Sequence, residues 1–490
     1  MPLFLIGVNG LYIGIDMGTS SIKATLIDEK GKVISTSKVE SEVLNPQEGF
    51  FELDAEKTWW GGIKLALSQI GEVNNLQDIK AICVSSMCGT FVPVDLDLKP
   101  IHHAILYGID TRAVKQIEKL NKKYEKGYLA EHIGGLFNTH SIIPKVLWLK
   151  ENKPGIYRKT AFFVESNNYV SSKLTGNTTW DYPTAAGTKL LDLQTMDLPN
   201  TILDDFDIDK EKFPTFHWPM DIVGTVTKKA FEETGLPEGI PVITGACDIN
   251  GEATACGGIK PGDFVVVFGS TVSTLFTLDQ FKLLEGFTPG VSIIEGTFRL
   301  GAATSSGGRF VQWMKELLNN SQMEFSDQNP TEIVILPYID GSRAPYDNPD
   351  SKGVIFGLRK NTTNDTILKA SVESLGYELN LLLTKLEKVS PLPDQIHVLG
   401  GMSENKTILQ IISDIVGKEM IVYNNIDASY GDALLAMTAD KRYREIEQLE
   451  FVQKYRNEAM TIVPDLTKTK AYKLFSDKFK FLYEKIEELF

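Results

Sequence analysis

The chain has 490 residues, 42% of them hydrophobic and 23% charged, which is enough for two domains with real cores and excludes a largely disordered chain. Fifty basic residues against 64 acidic ones leave a net charge of −14, so nucleic acid and anionic membrane surfaces are disfavoured as partners. The four cysteines (Cys83, Cys88, Cys247 and Cys256) form no C-x-x-C pair and stand at no zinc-finger spacing from histidine, which points to a reducing compartment rather than a disulfide framework.

In chain order, Met1–Gly7 is apolar but has no charged leader, and it reads as a lead-in to the first strand rather than a signal peptide. No run of about 18 apolar residues is present to span a membrane. Residues 11–28 then read as a strand, a tight turn of glycine and hydroxyl residues (Gly18, Thr19, Ser20), and a returning strand. A tip of this kind gathers backbone N–H groups into a concave array that suits phosphate oxygens. Asp16, at the end of the first strand, carries the carboxylate oxygen that a hard cation such as Mg²⁺ prefers. Lys23, in the returning strand, either supports the loop or faces solvent.

Apolar spacing predicts a helix over residues 54–70 with Asp54 as its N-cap, strands over 79–85 and 91–95, a charged helix over 110–124 and a short amphipathic helix over 144–150. A strand at 241–244 leads through Gly245-Ala-Cys-Asp248 into a small-residue helix ending at Cys256. Asp248 is either the N-cap of that helix or a carboxylate placed to take a proton from a substrate hydroxyl, and the two roles are compatible. A domain boundary is expected around Gly257–Gly262.

The second half repeats the opening design: the strand from Asp263 to Phe268, the tip Gly269-Ser270-Thr271, and a second strand to Phe276. Helices are predicted over 305–319 and 364–389. A strand over 396–399 runs into Gly400-Gly401-Met402-Ser403 and the start of a helix at Asn405, a place where a flat ring can approach backbone. A strand at 421–423, a small-residue helix over 430–439 and a charged amphipathic helix over 468–489 complete the chain.

Taken together these segments resemble the FGGY carbohydrate kinases, of the actin/hexokinase/heat-shock-ATPase fold, from about residue 11 to about residue 440. Asp16-x-Gly18-Thr19-Ser20 resembles the first phosphate loop of that family, Gly245-x-x-Asp248 the segment with the general base, Gly269-Ser270-Thr271 the second phosphate loop, and Gly400-Gly401-Met402-Ser403 the adenosine loop. The stretches 341–349, 353–358 and 370–373 resemble later family signatures, with a departure at Thr366. The resemblance implies an α/β protein of two ribonuclease-H-like domains, residues 1–256 and 257–490, each with a mixed five-stranded sheet flanked by helices and with the active site in the cleft between them. The first domain would hold the sugar site and the first phosphate loop, and the second the second phosphate loop and the adenosine site.

The implied reaction is transfer of the γ-phosphate of ATP to a hydroxyl of a small sugar, with Asp248 as base, Asp16 at the metal, and nucleotide held by Gly18, Thr19, Ser20, Gly269, Ser270, Thr271, Gly400, Gly401, Met402 and Asn405. Xylulokinase-like members carry Met-His-Gly where this chain has Met87-Cys88-Gly89, and Asn where it has Ile249, so two polar contacts are absent. Met87, Cys88, Asp110 and Asp248 are the expected sugar-site residues, with Asp110 and Arg112 bracing the site; Asn167 and Thr184 either touch substrate or support the fold. A ketopentose such as xylulose is the leading substrate. A gluconate, polyol or glycerol, or deoxy-pentulose kinase, or a nucleotide-gated regulator without turnover, are the alternatives. The protein is expected in the cytoplasm as a monomer or homodimer, with a small-molecule partner and neither nucleic acid nor membrane.

Overall fold

The computed structural model describes residues 10–320, 325, 329–424, 426–443 and 459–490; the lead-in Met1–Gly7 lies outside the described residues. The chain divides into two compact units, one of Met1–Ile259, Gly290–Thr297 and Ile426–Asn457, the other of Lys260–Pro289, Phe298–Asn425 and Glu458–Phe490. The division after Ile259 falls beside the glycine-rich stretch that marked the boundary in the sequence, but a late segment beginning at Ile426 belongs to the first unit.

The first unit is built on a six-stranded sheet, one strand more than expected. Leu11–Met17 lies at its centre, antiparallel to Ser21–Asp28 and parallel to Ile79–Ser86. Nearly every residue of Leu11–Met17 is buried, as its unbroken apolar run requires of a strand covered on both faces. Val33–Glu40 adds to the outside of Ser21–Asp28 as an edge strand. The order on the other side is Ile79–Ser86, Pro241–Ile243, Ile222–Thr225. The predicted helix at 54–70 is a turn Ala55–Trp60 continuing into Gly61–Gly71, with Asp54 as N-cap accepting from the Lys57 amide at 3.0 Å.

One face of this sheet is covered by the helix Ala428–Met437, which comes from the far end of the chain. Four side-chain bonds seat this segment on the opening strands: Lys23 to Asp427 (2.9 Å), Thr25 to Ser429 (2.7 Å), Tyr430 to the Gly31 carbonyl (2.9 Å) and Tyr12 to Asp440 (2.8 Å). Lys23 therefore anchors the segment instead of merely facing solvent. The helix also packs on Asp248–Cys256, and only glycine fits at the crossing: a β-carbon at Gly431 would stand 1.8 Å from the Gly251 carbonyl oxygen. Gly431→Ala is expected to destabilise the first unit by about 1–3 kcal/mol. Urea unfolding checks this against Gly127→Ala, where an added methyl meets nothing within 4 Å and the midpoint should not fall.

The second unit repeats the topology. Phe264–Phe268 is antiparallel to Val272–Leu278, which pairs with Phe298–Ala303, and on its other side it runs parallel to Gln395–Leu399. Glu419–Val422 and Met460–Ile462 continue this sheet, which has seven strands with Thr288–Val291 at the opposite edge. The internal duplication read from the two hairpin tips is thus a duplication of strand order. The helix Asn364–Leu386 carries Glu373, whose carboxyl accepts from Thr331 Oγ1 (2.6 Å) and Tyr472 OH (3.1 Å), so this late signature stitches the C-terminal helix Leu466–Ile486 into the core. Among the described residues no helix is long and apolar enough to cross a membrane.

Candidate active site

In the first unit the strand Pro241–Ile243 ends and the chain turns through Gly245 into the helix Asp248–Cys256. The N-cap is Cys247, not Asp248, and Asp248 is the first helical residue. Its side chain is thus not that of the N-cap residue, yet its Oδ1 accepts the first-turn Ile249 amide at 2.8 Å, and the residue is half-buried. Burial pushes its carboxyl up to about 6 against that hydrogen bond. A carboxylate of that basicity still accepts a proton near neutral pH and is better suited to do so than an ordinary aspartate.

Asp16 stands at the end of the central strand. Burial, followed by the neighbouring charges of Asp248 and Asp427, pushes its carboxyl up to about 8. Its Oδ1 is enclosed and has no hydrogen-bond partner among the described residues. The ammonium of Lys23 donates to Asp427 at 2.9 Å, and its charge offsets only part of the burial and repulsion at Asp16. A divalent cation answers both the enclosed oxygen and the surplus negative charge. Among the described residues no group of three or more His, Cys, Asp or Glu is set to hold a metal by itself. Mg²⁺ is commonly held by one or two carboxylates together with water and substrate phosphates, which is the arrangement these residues fit.

Three further carboxyls join Asp16 and Asp248, none of them singled out in the sequence. Glu252 lies one turn after Asp248 on the same helix, and burial with the charges of Asp248 and Asp16 pushes it well up. Asp432 is fully buried, accepts Ser85 Oγ at 2.6 Å, and is pushed well up by burial. Burial works the same way on Asp427, but Ser429 Oγ (2.6 Å) and the Lys23 ammonium outweigh it and hold this carboxyl below the usual range. Glu252 was within reach of sequence reasoning through its i, i+4 spacing; Asp427 and Asp432 arrive from the other end of the chain.

The hairpin tip closes with the Gly18 amide on the Ser21 carbonyl at 2.9 Å, and the amides of Thr19 and Ser20 have no acceptor among the described residues. Thr19 Oγ1 donates to Tyr107 OH at 3.1 Å and lies 3.6 Å from the Met87 sulfur, which brings the tip and Met87 together. Cys88 is half-buried beside Met87. No disulfide involves any of the four cysteines.

Asp110 and Arg112 form a fully buried bidentate pair, Nε to Oδ1 at 2.9 Å and Nη2 to Oδ2 at 2.8 Å. Asp110 also accepts the Phe51 amide at 2.7 Å, and Arg112 reaches Glu52 at 2.9 Å while its guanidinium lies 4.3 Å over the Phe50 ring. Both residues are turned into the protein. Asn167 and Asn168 are buried with their amides toward the Thr244 carbonyl, and Thr184 is buried on the short helix capped by Asp181.

In the second unit the tip Gly269–Thr271 is seated on the start of the helix Gly308–Leu317: the Gly308 amide donates to the Gly269 carbonyl (2.9 Å) and the Arg309 amide to the Ser270 carbonyl (3.2 Å). The amides of Ser270 and Thr271 have no acceptor among the described residues, which repeats the first tip. Gly400 has φ +97°, and a β-carbon there would lie 2.5 Å from the Phe268 carbonyl oxygen. A short turn, Gly401–Glu404, separates this glycine from the helix Lys406–Val416, so the loop does not run straight into a helix start. A β-carbon at Gly401 would meet nothing within 4 Å, so one side of the loop backbone is open, and Met402 packs toward Gly308. Asn405 is the N-cap, its Oδ1 accepting the Thr407 and Ile408 amides at 3.0 and 3.1 Å.

The N-terminal domain of the FGGY family of carbohydrate kinases matches residues 11–256, and the C-terminal domain of the same family matches residues 266–439. Xylulose kinase of Escherichia coli is 24% identical over 97% of this chain and 99% of its own length. Glycerol kinase of Mycoplasmoides gallisepticum is 26% identical over 94% of each. The fold is that of a xyloylose kinase from Brucella ovis, with a TM-score of 0.90 at 20% identity over 98% of this chain and all of that one.

Proposed function

Because the chain belongs to the FGGY family of carbohydrate kinases, phosphotransferases that carry phosphate from ATP to a sugar hydroxyl, we propose that its acceptor is a ketopentose such as xylulose and that Asp248 is the general base. The observation that carries the assignment is Asp248 itself: a half-buried carboxylate at the first position of a helix, its Oδ1 accepting the Ile249 amide, with a raised proton affinity. It takes the proton of the sugar hydroxyl as that oxygen attacks the γ-phosphorus, and the bridging oxygen leaves with ADP. The proton then passes from Asp248 to water.

Phosphoryl transfer rests chiefly on positioning and charge neutralisation. The unspent amides of Thr19, Ser20, Ser270 and Thr271, with the turns at Gly18 and Gly269, would hold the β- and γ-phosphates. Gly400, Gly401 and Met402 would take the adenine ring and ribose, with Asn405 fixing the loop through its cap. Asp16 would hold Mg²⁺, which when bound neutralises phosphate charge. Met87 and Cys88 would line the sugar, and Asp110 would act through its pair with Arg112 on the loop that carries Tyr107. The domain roles follow the same division, with sugar and base on the first half of the chain and adenosine on the second. We place the enzyme in the cytoplasm, acting as a monomer or homodimer.

A second reading, a polyol kinase, draws support from Cys88 and Ile249, two weakly polar or apolar residues at sugar-facing positions, and from the glycerol kinase relative. Coupled ADP release with Mg-ATP over ketopentoses, deoxy-ketopentoses, polyols, glycerol and gluconate decides between them. Stimulation by xylulose above the other compounds supports the first reading, and stimulation by glycerol or a polyol alone overturns it. With the acceptor in hand, log kcat/KM is expected to fall with unit slope as pH drops below about 6, because protonated Asp248 cannot take the hydroxyl proton. A pH profile flat down to 5 would remove Asp248 as base.

A further inference from the structure

Two lysines are buried around the Met87–Gly89 loop, and their hydrogen bonds set them apart. Lys145 is 1% exposed and its ammonium donates to three carbonyls, those of Gly89 (3.3 Å), Leu106 (2.5 Å) and Tyr107 (3.2 Å). All three of its donors are spent. It ties the Gly89 loop to the Tyr107 loop, and its role is complete within the fold.

Lys189 is 4% exposed, yet its ammonium donates only to the Gly134 carbonyl, at 2.9 Å, among the described residues. Two charged N–H donors are left over. Its backbone has φ +63°, a left-handed conformation that a long side chain adopts only when the surroundings impose it. The residue before it, Thr188, lies against the Met87–Gly89 loop: a β-carbon at Gly89 would touch the Thr188 methyl at 3.5 Å and the His140 carbonyl at 2.7 Å. Burial pushes the ammonium down to about 8, and Cys88 is the neighbour whose charge opposes that. Leaving such a group partly unsatisfied costs stability that a methionine or leucine would not.

We propose that Lys189 is a specificity-determining residue of the sugar site, its spare donors taking acceptor oxygens of the substrate at the end that lies over Cys88. This rests on the carbohydrate-kinase reading above and refines it. It gives the weakly bonding thiol of Cys88 a physical counterpart, because the polar contact is supplied by a charged donor from a neighbouring loop instead. The chemistry required of the substrate is an oxygen acceptor at that end: a carbonyl, a hydroxyl or a carboxylate.

The test uses the full chain with Lys189→Met, which keeps length and removes charge, and Lys189→Asn, which suits the left-handed backbone. The expected result in both is a rise of about 10–100-fold in the KM of the sugar that the wild type uses, with kcat and the KM for ATP nearly unchanged. Against a deoxy analogue lacking the contacted oxygen, wild type and variants should be equally poor. A greater loss for gluconate than for neutral ketoses would mark the acceptor as a carboxylate, and the reverse would mark a carbonyl or hydroxyl. Unchanged sugar KM in a variant that melts like wild type, or an equal loss for the sugar and its deoxy analogue, overturns the assignment and leaves Lys189 a structural lysine. If the wild type itself responds to no compound in the panel, the substrate reading fails first and takes this refinement with it.

Discussion

Asp248→Asn is expected to lower sugar-dependent turnover by about 10²–10⁴-fold while nucleotide binding stays close to wild type. The substitution keeps the size of the side chain and its acceptor for the Ile249 amide, so the helix start should survive. What it removes is the capacity to take a proton. The effect should be found in kcat, with ATP affinity measured separately by calorimetry. Near-normal turnover in a folded variant would take Asp248 out of the mechanism. A parallel loss of ATP affinity would assign it to binding rather than to chemistry. Glu252 supplies a useful control, since it shares the helix face and the acidic surroundings but not the first helical position.

Arg112→Met should give the largest loss of stability, about 3–5 kcal/mol. Two carboxylates, Asp110 and Glu52, are held by one guanidinium, and neither acid lies in the open. Removing the cation leaves both charges buried without it, while methionine still fills part of the space between Phe50 and Trp148, where the guanidinium lies 4.3 and 5.1 Å from the ring centres. Arg112→Lys should fall between, keeping a charge but losing the two-pronged geometry. Urea midpoints check the order. If Arg112→Met unfolds at the same midpoint as wild type, the buried pair contributes registry without net stability.

Sequence reasoning reached the elements whose signals are local. Gly245-x-x-Asp248, the two Gly-hydroxyl tips and the Gly400-Gly401 turn each depend on a few adjacent residues, and their backbones follow the turn chemistry those residues dictate. The strand Val33–Glu40 escaped because an edge strand open to solvent needs no apolar face, and its residues alternate without a buried set. The return of Ala428–Met437 to the first unit escaped for another reason: contact with a partner some 400 residues away, as Lys23 makes with Asp427, leaves no trace in local spacing. Asp427 and Asp432 were hidden in the same way. Asp110 and Arg112 were paired through the resemblance to the family, but Glu52, which completes the cluster, was not found. The N-cap is Cys247, one residue before Asp248, and the Asp248 carboxylate accepts a first-turn amide from one place further in.

The late return of Ala428–Met437 to the opening sheet also sets an order for biosynthesis. A ribosome releases Leu11–Met17 early, but the helix that covers one face of that strand includes residues up to Met437 of 490. The second unit has nearly its whole sheet in hand by then, apart from Met460–Ile462. The nascent first unit therefore waits, with an apolar sheet face uncovered, while most of the second is made. Protection of that face by a chaperone, or a pause that lets the second unit settle, matters most in this interval, and a chain cut short before Ile426 would never leave it.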